Sequence, residues 1–222
     1  MKNVTKFDGV IIDDIPLQEV LDVLKSDFQK KESLKVIVTP NIDHFQRLRK
    51  NDNVFFNRAY AESTYRLCDS RIVQKLSLLG NKIKHVVPGS DLTKALLSST
   101  WLNSARITVI GTSENEIELI KQSYKLNSVT HYNPPMGFIK NPTEIEKCVE
   151  IISASQPDFV FLAGGSTAQE VPARRLLDDN ANCGNLHSWV LCSGASLCLL
   201  LGITHRAPAW RHTTKPAWLP LS

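Results

Sequence analysis

Short runs of apolar, β-branched residues alternate with longer amphipathic stretches along the chain. Four of these runs are typical of buried strands, at 34–38, 106–110, 159–163 and 189–192. Stretches with helical spacing begin near residues 17, 42, 72, 89, 114 and 142. Strands that alternate with helices form a parallel sheet with crossover helices on its faces, so the sequence predicts an α/β protein. Pro16, which follows Asp13 and Asp14, predicts a capped first helix.

The composition excludes several other classes of protein. Of the 222 residues, 42% are hydrophobic and 22% charged, which suits one domain or two closely packed lobes and rules out disordered and collagen-like chains. The 26 basic and 22 acidic residues are scattered, so the net charge of +4 gives no reason to expect nucleic acid as a partner. The longest apolar region, 189–203, is interrupted by Ser193, Gly194 and Ser196, and the N-terminus carries no visible secretory signal. We therefore expect a cytoplasmic protein that does not cross a membrane.

The cysteines and histidines form no recognisable metal motif. The five cysteines are Cys68, Cys148, Cys183, Cys192 and Cys198. No two of them form a Cys-x-x-Cys pair, and none of the six histidines pairs with an acidic residue at helical spacing. The sequence therefore predicts buried free thiols, no bound metal and no cofactor.

Three polar clusters follow predicted strands and a fourth ends a short apolar element at 67–69, and ligands collect at such strand ends in an open parallel sheet. They are Thr39-Pro40-Asn41, Asp69-Ser70, Gly111-Thr112-Ser113 and the segment 164–170. Glycine-rich turns at helix N-termini can present backbone N–H groups to a phosphate. Neither Gly-x-Gly-x-x-Gly nor Gly-x-x-x-x-Gly-Lys-Ser/Thr occurs, which argues against a nucleotide-dependent dehydrogenase or a P-loop kinase.

Each candidate residue also has a purely structural interpretation. The segment 39–41 is consistent with a turn alone, and Asp69 with the N-cap of the helix that follows it. Asp91 suits the first turn of a helix, where an acidic side chain is favoured by the helix dipole. The pair at 169–170 suits the solvent-facing start of a helix, and Arg206 suits a contact with a backbone carbonyl.

Nine fragments occur in one order over nearly the whole chain. They are Thr39-Pro40-Asn41, Asp69, Pro88-Gly89-Ser90-Asp91-Leu92, Val109-Ile110-Gly111, Pro134-Pro135-Met136-Gly137-Phe138, Pro157-Asp158, Gly165-Ser166 with Gln169-Glu170, Gly194-Ala195-Ser196-Leu197, and Arg206-Ala207-Pro208. Each is weak alone, but the ordered set resembles the WecG/TagA/CpsF glycosyltransferases of bacterial surface-polymer synthesis. The resemblance implies a Rossmann-like parallel sheet flanked by helices.

The resemblance also implies a reaction. A UDP-sugar would donate N-acetylmannosamine, a related hexosamine or glucose to a polyprenyl-diphosphate-linked saccharide, with inversion and without a metal. The enzyme would lie peripherally on the inner face of the cell membrane, and a homo-oligomer is compatible with the family. Asp69 matches the family's candidate base. The implied substrate-binding residues are Thr39, Asn41, Gly89, Ser90, Asp91, Gly111, Gln169, Glu170 and Arg206.

Some positions depart from the family pattern. Cys198 stands where the family has Asp, and Val86 where an Arg is frequent. We divide the chain into a core, 1–205, and a truncated C-terminal appendage, 206–222. These departures leave open a catalytically inactive family member that binds a nucleotide-sugar or a partner protein. An unrelated α/β binding domain is the third alternative.

Overall fold

A computed structural model describes residues 3–50 and 53–202. An antiparallel hairpin of β1 (Val4–Phe7) and β2 (Val10–Asp13) precedes helix α1 (Leu17–Lys30). Six parallel strands then form the main sheet: β3 (Lys35–Val38), β4 (Tyr65–Arg66), β5 (Arg106–Ile110), β6 (Ser128–Tyr132), β7 (Phe159–Leu162) and β8 (Trp189–Cys192). The predicted Rossmann-like α/β fold is confirmed. Arg206 and the appendage 206–222 lie outside the described residues.

Helices follow each strand of the main sheet. The helices are α2 (Ile42–Lys50) and α3 (Val54–Glu62) after β3, α4 (Arg71–Ser77) and α5 (Gly89–Leu97) after β4, α6 (Glu114–Tyr124) after β5, α7 (Pro142–Ser155) after β6, α8 (Glu170–Cys183) after β7 and α9 (Ser196–Leu200) after β8. Short 3-10 helices lie at Thr100–Ser104 and Phe138–Lys140.

The strand order in the sheet is β4-β3-β8-β7-β5-β6. Alternate residues of each strand point to opposite faces, and each face has its own core. One core contains Ile37 and Phe159 with buried residues of α1, α5, α6 and α9. The other contains Val36 and Val160 with buried residues of α3, α7 and α8. The helices that follow the neighbouring strands β5 and β7 thus lie on opposite faces, which opens a crevice at the carboxyl ends of these strands.

The N-terminal segment differs from the sequence prediction. The hairpin was not predicted, although Asp8 (φ 50°) and Gly9 (φ 81°) form the Asp-Gly turn that favours one. Helix α1 begins after Pro16 without a side-chain cap, so the predicted capping was wrong. The Asp14 carboxylate instead accepts hydrogen bonds from the backbone N–H groups of Lys84 and His85. Asp14 therefore fixes the segment before α5 against the hairpin.

Candidate functional site

Asp69 lies just beyond the carboxyl end of β4 and connects two other elements. Its Oδ1 accepts a hydrogen bond from the backbone N–H of Gly89, the first residue of α5, at 2.7 Å. Its own N–H donates to the Pro40 carbonyl at 3.2 Å. The hydroxyl of Ser70 caps α4, so the interpretation of Asp69 as the cap of that helix was wrong. The Asp69 carboxylate instead lies at the positive end of α5.

Three elements converge at Gly89. A Cβ atom there would lie 2.9 Å from Thr39 Oγ1 and 3.5 Å from Ser196 Oγ. Any other residue at this position would push the Thr39 side chain away, so glycine lets the start of α5 lie close to the end of β3 and the start of α9. Ser90 is buried and Asp91 half-buried in the first turn of α5, where the acidic residue was expected. The structure thus brings Thr39 beside the backbone group that holds Asp69.

Asn41 organises the start of α2. Its Oδ1 accepts hydrogen bonds from the N–H groups of Asp43 (3.0 Å) and His44 (3.3 Å). Its own N–H donates to His44 Nδ1 at 3.1 Å. The segment 39–41 therefore forms a turn before α2, as the structural interpretation expects. The same turn carries the Pro40 carbonyl that accepts the Asp69 N–H.

Gln169 and Glu170 are buried, with 3% and 0% of their surface exposed, so the solvent-facing interpretation was wrong. Glu170 Oε1 accepts hydrogen bonds from Tyr60 Oη (3.2 Å) and Gln169 Nε2 (2.9 Å), and Oε2 accepts from the Thr167 N–H (2.7 Å). Gln169 Oε1 accepts from the Gly194 N–H at 2.6 Å. These bonds join α3 to the loops after β7 and β8. Burial raises the pKa of Glu170 in spite of the donors around it.

His44 faces this network from α2 and was not identified from the sequence. It packs against the rings of Phe56 and Tyr60. Because Nδ1 accepts the Asn41 N–H, we assign the proton of the neutral ring to Nε2, which lies 3.6 Å from Glu170 Oε1. Burial lowers the pKa of His44 to about 4. Its position in the first turn after Thr39-Pro40-Asn41 was the only available sequence signal.

The loop after β5 forms a second part of the crevice. Gly111 (φ 100°) and Thr112 (φ 62°) both adopt left-handed backbone, and a Cβ on Gly111 would lie 3.0 Å from the Ala163 carbonyl at the end of β7. Thr167, in the loop after β7, is also left-handed (φ 74°). Strained non-glycine residues of this kind cluster at functional sites. Here they flank the crevice between neighbouring strands.

Glu116 anchors the loop after β5. Its carboxylate accepts hydrogen bonds from the Thr112 hydroxyl and the Ser113 N–H, completing a capping box with the N-cap residue Ser113. The bond from Thr112, followed by that from Ser113, lowers the pKa of Glu116 to about 2. Cys198 Sγ, from α9, donates to the other carboxylate oxygen at 3.5 Å. A carboxylate of the chain itself thus lies against the N-terminus of α6.

Other expectations concern thiols, metals and membranes. Cys68, Cys148 and Cys192 are buried free thiols as predicted. Cys198 is only half-buried, and the side chain of Cys183 lies outside the described part of the structure.

Within residues 3–50 and 53–202, no group of three or more His, Cys, Asp or Glu could hold a metal ion. Over the same residues, no helix has the length and apolar character needed to cross a membrane.

Comparison with known proteins identifies the family. Residues 5–220 match the glycosyl transferase WecG/TagA/CpsF family, so the chain belongs to it. No curated protein matches the chain. Membership implies glycosyltransferase activity in surface polysaccharide synthesis, with a sugar donor and a saccharide acceptor.

Proposed function

We propose that this member of the WecG/TagA/CpsF family is an inverting, metal-independent glycosyltransferase. It transfers N-acetylmannosamine, a related hexosamine or glucose from a UDP-sugar to a polyprenyl-diphosphate-linked saccharide, at the inner face of the cell membrane. The position of Asp69 carries the proposal. Its carboxylate is held at the carboxyl edge of the sheet by the Gly89 N–H, beside Thr39.

The chemistry requires one base. An acceptor hydroxyl attacks the anomeric carbon from the face opposite UDP, a new C–O bond forms, and the bond to UDP breaks with its electron pair leaving on the diphosphate. Asp69 takes the hydroxyl proton. The hydrogen bond from the Gly89 N–H holds this carboxylate in place at the start of α5. The N–H groups of the crevice loops and cationic side chains then offset the charge on the leaving diphosphate.

Gln169 and Glu170 have a supporting role in the proposed site, because they hold its loops in place. Glu170 is fully buried, and it orients Gln169, which in turn holds the Gly194 N–H. The loop after β8 is thereby fixed next to the start of α9, whose Ser196 borders Gly89. The two residues therefore shape the substrate pocket through the loops that they connect.

The test is a transfer assay with a panel of UDP-sugars and a short polyprenyl-diphosphate-linked N-acetylhexosamine, with and without EDTA. Asp69→Asn keeps an acceptor for the Gly89 N–H but removes the base, so we expect transfer to fall by about 10²–10⁴-fold with UDP-sugar binding retained. Asp22→Asn, at an exposed position of α1, is the matched control. Undiminished transfer by Asp69→Asn would remove Asp69 as the base, and loss of transfer in EDTA would remove metal independence.

A second candidate function is nucleotide-sugar binding without turnover. It is favoured by Cys198, which stands at a position where the family has an acidic residue. The Cys198 thiol donates a hydrogen bond to Glu116. In that case the unmodified chain binds a UDP-sugar but produces no transfer product in the same assay. Any transfer by the unmodified chain excludes this alternative.

A further inference from the structure

Exposed leucines cluster at the end of α4. Leu76, Leu78 and Leu79 have 45%, 58% and 92% of their surface exposed. Single exposed apolar residues are ordinary on a protein surface, whereas several exposed apolar residues within one short segment favour an interaction site. The patch therefore requires an explanation other than core packing.

The loop that follows these leucines lines a groove together with the hairpin. A groove of about 470 Å³ is lined by Val4, Lys6 and Ile11 of the hairpin and by Asn81 and Lys82 of the loop after α4. Val4 and Ile11 are themselves half exposed. We call the whole surface the basic apolar face, and it consists of Val4, Lys6, Ile11, Lys75, Leu76, Leu78, Leu79, Lys82 and Lys84.

A small core supports the basic apolar face from below. Ile12 of the hairpin, Val73 of α4 and Ile83 of the following loop pack together with Phe45 and Cys68. The bonds from the Lys84 and His85 N–H groups to Asp14 tie the same loop to the end of the hairpin. The exposed side chains are therefore carried on a packed support.

The charge of this surface has one sign. From 70 to 90 the chain contains Arg71, Lys75, Lys82 and Lys84 but no Asp or Glu. Among the described residues, the ion pairs do not involve these four cations. Apolar side chains interspersed with unpaired cations match an anionic bilayer, which offers acyl chains beneath a negative surface.

A single short helix separates Asp69 from the leucines of the basic apolar face. Helix α4 begins directly after Ser70 and is only seven residues, or about 10 Å, long. The chain then returns to the end of β4, where the Val87 N–H donates to the Cys68 carbonyl at 2.8 Å, and reaches Gly89. The leucines of the face and the proposed base are therefore the length of one short helix apart.

We propose that the basic apolar face docks the protein on an anionic lipid bilayer. The role of this docking, which is to bring a lipid-linked acceptor to Asp69, rests on the proposed function. The docking itself does not. A second copy of the chain fits this face less well, because a two-fold interface would place the lysines of one copy against those of the other.

The test is co-sedimentation of the full chain with vesicles of phosphatidylcholine alone or with 30% phosphatidylglycerol, without sugar substrates. The first variant is Lys75→Gln/Lys82→Gln/Lys84→Gln. We expect it to lower binding to the anionic vesicles by about 100-fold at low salt, since each lysine near such a surface contributes roughly fivefold. Its control is Lys25→Gln/Lys30→Gln/Lys140→Gln, three exposed lysines away from the face.

A second variant tests the apolar part. Leu78→Gln/Leu79→Gln should lower binding by at least about tenfold, because two exposed side chains no longer enter the lipid. Its control is Leu119→Gln/Met136→Gln, which replaces two other exposed apolar residues. Both residues of the test pair are already in water, so the fold does not depend on them.

Each outcome decides the proposal. Anionic-lipid binding that both face variants weaken and both controls retain supports it. Absence of binding, binding that the face variants leave unchanged, or a face variant that alters only the oligomeric state in sedimentation velocity overturns it. Transfer to a water-soluble, short-chain acceptor is measured separately in the unmodified chain and in the same variants. If the unmodified chain transfers sugar but does not bind the vesicles, the face is excluded and the proposed function stands. If it binds the vesicles but does not transfer sugar, the proposed function is excluded and the face stands.

Discussion

Lowering the pH should destabilise the fold through His44. Its pKa is lowered from 6.5 to about 4 because the ring is buried. The neutral ring has one nitrogen left to protonate, Nδ1, and that atom already accepts the Asn41 N–H. Protonation would therefore both charge a buried ring and break the bond that orients the start of α2.

The sign and size follow from the two pKa values. A lowered pKa in the folded state gives stability that is present above pH 6.5 and is lost as the pH falls through about 4. Between pH 7 and pH 5 the loss is about 2 kcal/mol, and it approaches about 3 kcal/mol below pH 4. The raised pKa of Glu170 has the opposite effect, since protonation of a buried carboxylate favours the folded state.

The assay separates the two groups with a variant. His44→Asn keeps a hydrogen-bond acceptor near the Asn41 N–H and cannot titrate, whereas Glu170 is unchanged. The free energy of unfolding in urea is measured at pH 7 and pH 5 for both proteins, with His187→Asn, an exposed position, as control. We expect the stability advantage of the unmodified chain over His44→Asn to shrink by about 2 kcal/mol at pH 5. An advantage that is equal at both pH values would refute the reasoning.

Three substitutions test the rest of the site. Gly89→Ala places a Cβ 2.9 Å from Thr39 Oγ1, so we expect kcat/KM for transfer to fall by about 10–100-fold; unchanged kinetics would contradict the close approach. Glu170→Gln turns one buried acceptor into a donor facing another donor, which should lower the free energy of unfolding by about 2–4 kcal/mol in urea titrations. Cys198→Asp replaces a donor to Glu116 with a second carboxylate, and we expect a lower Tm at pH 7 that recovers as the carboxylates are protonated.

The regular elements could be predicted because their signals are local. Strands such as 159–162 are apolar runs between turns, and the caps Ser113 and Asn141 stand next to the helices that they begin. The sequence of α3 shows no clear helical spacing of apolar residues, and the Asp8-Gly9 hairpin was not predicted although its turn signal is in the sequence. Both omissions lie where the pattern is short or mixed.

The site could be predicted only as a set of strand ends. Asp69, Thr39 and Gly111 do lie at the predicted edge, because parallel strands bring their carboxyl ends together. The burial of Glu170 could not be foreseen, since its partner Tyr60 lies 110 residues away in the sequence. His44 was missed for the same reason. Its significance comes from a neighbour on another helix.

The order of the strands also bears on how the chain is synthesised. The last strand, β8, inserts between β3 and β7. The two halves of the sheet therefore cannot join until Cys192 has left the ribosome. From the synthesis of Val38 to that of Cys192, an interval of roughly 10–30 s at ordinary translation rates, β3 has no partner on that side. The nascent chain thus carries two incomplete half-sheets with open apolar edges, β4-β3 and β7-β5-β6. Binding of chaperones during translation should therefore persist until the last strand emerges.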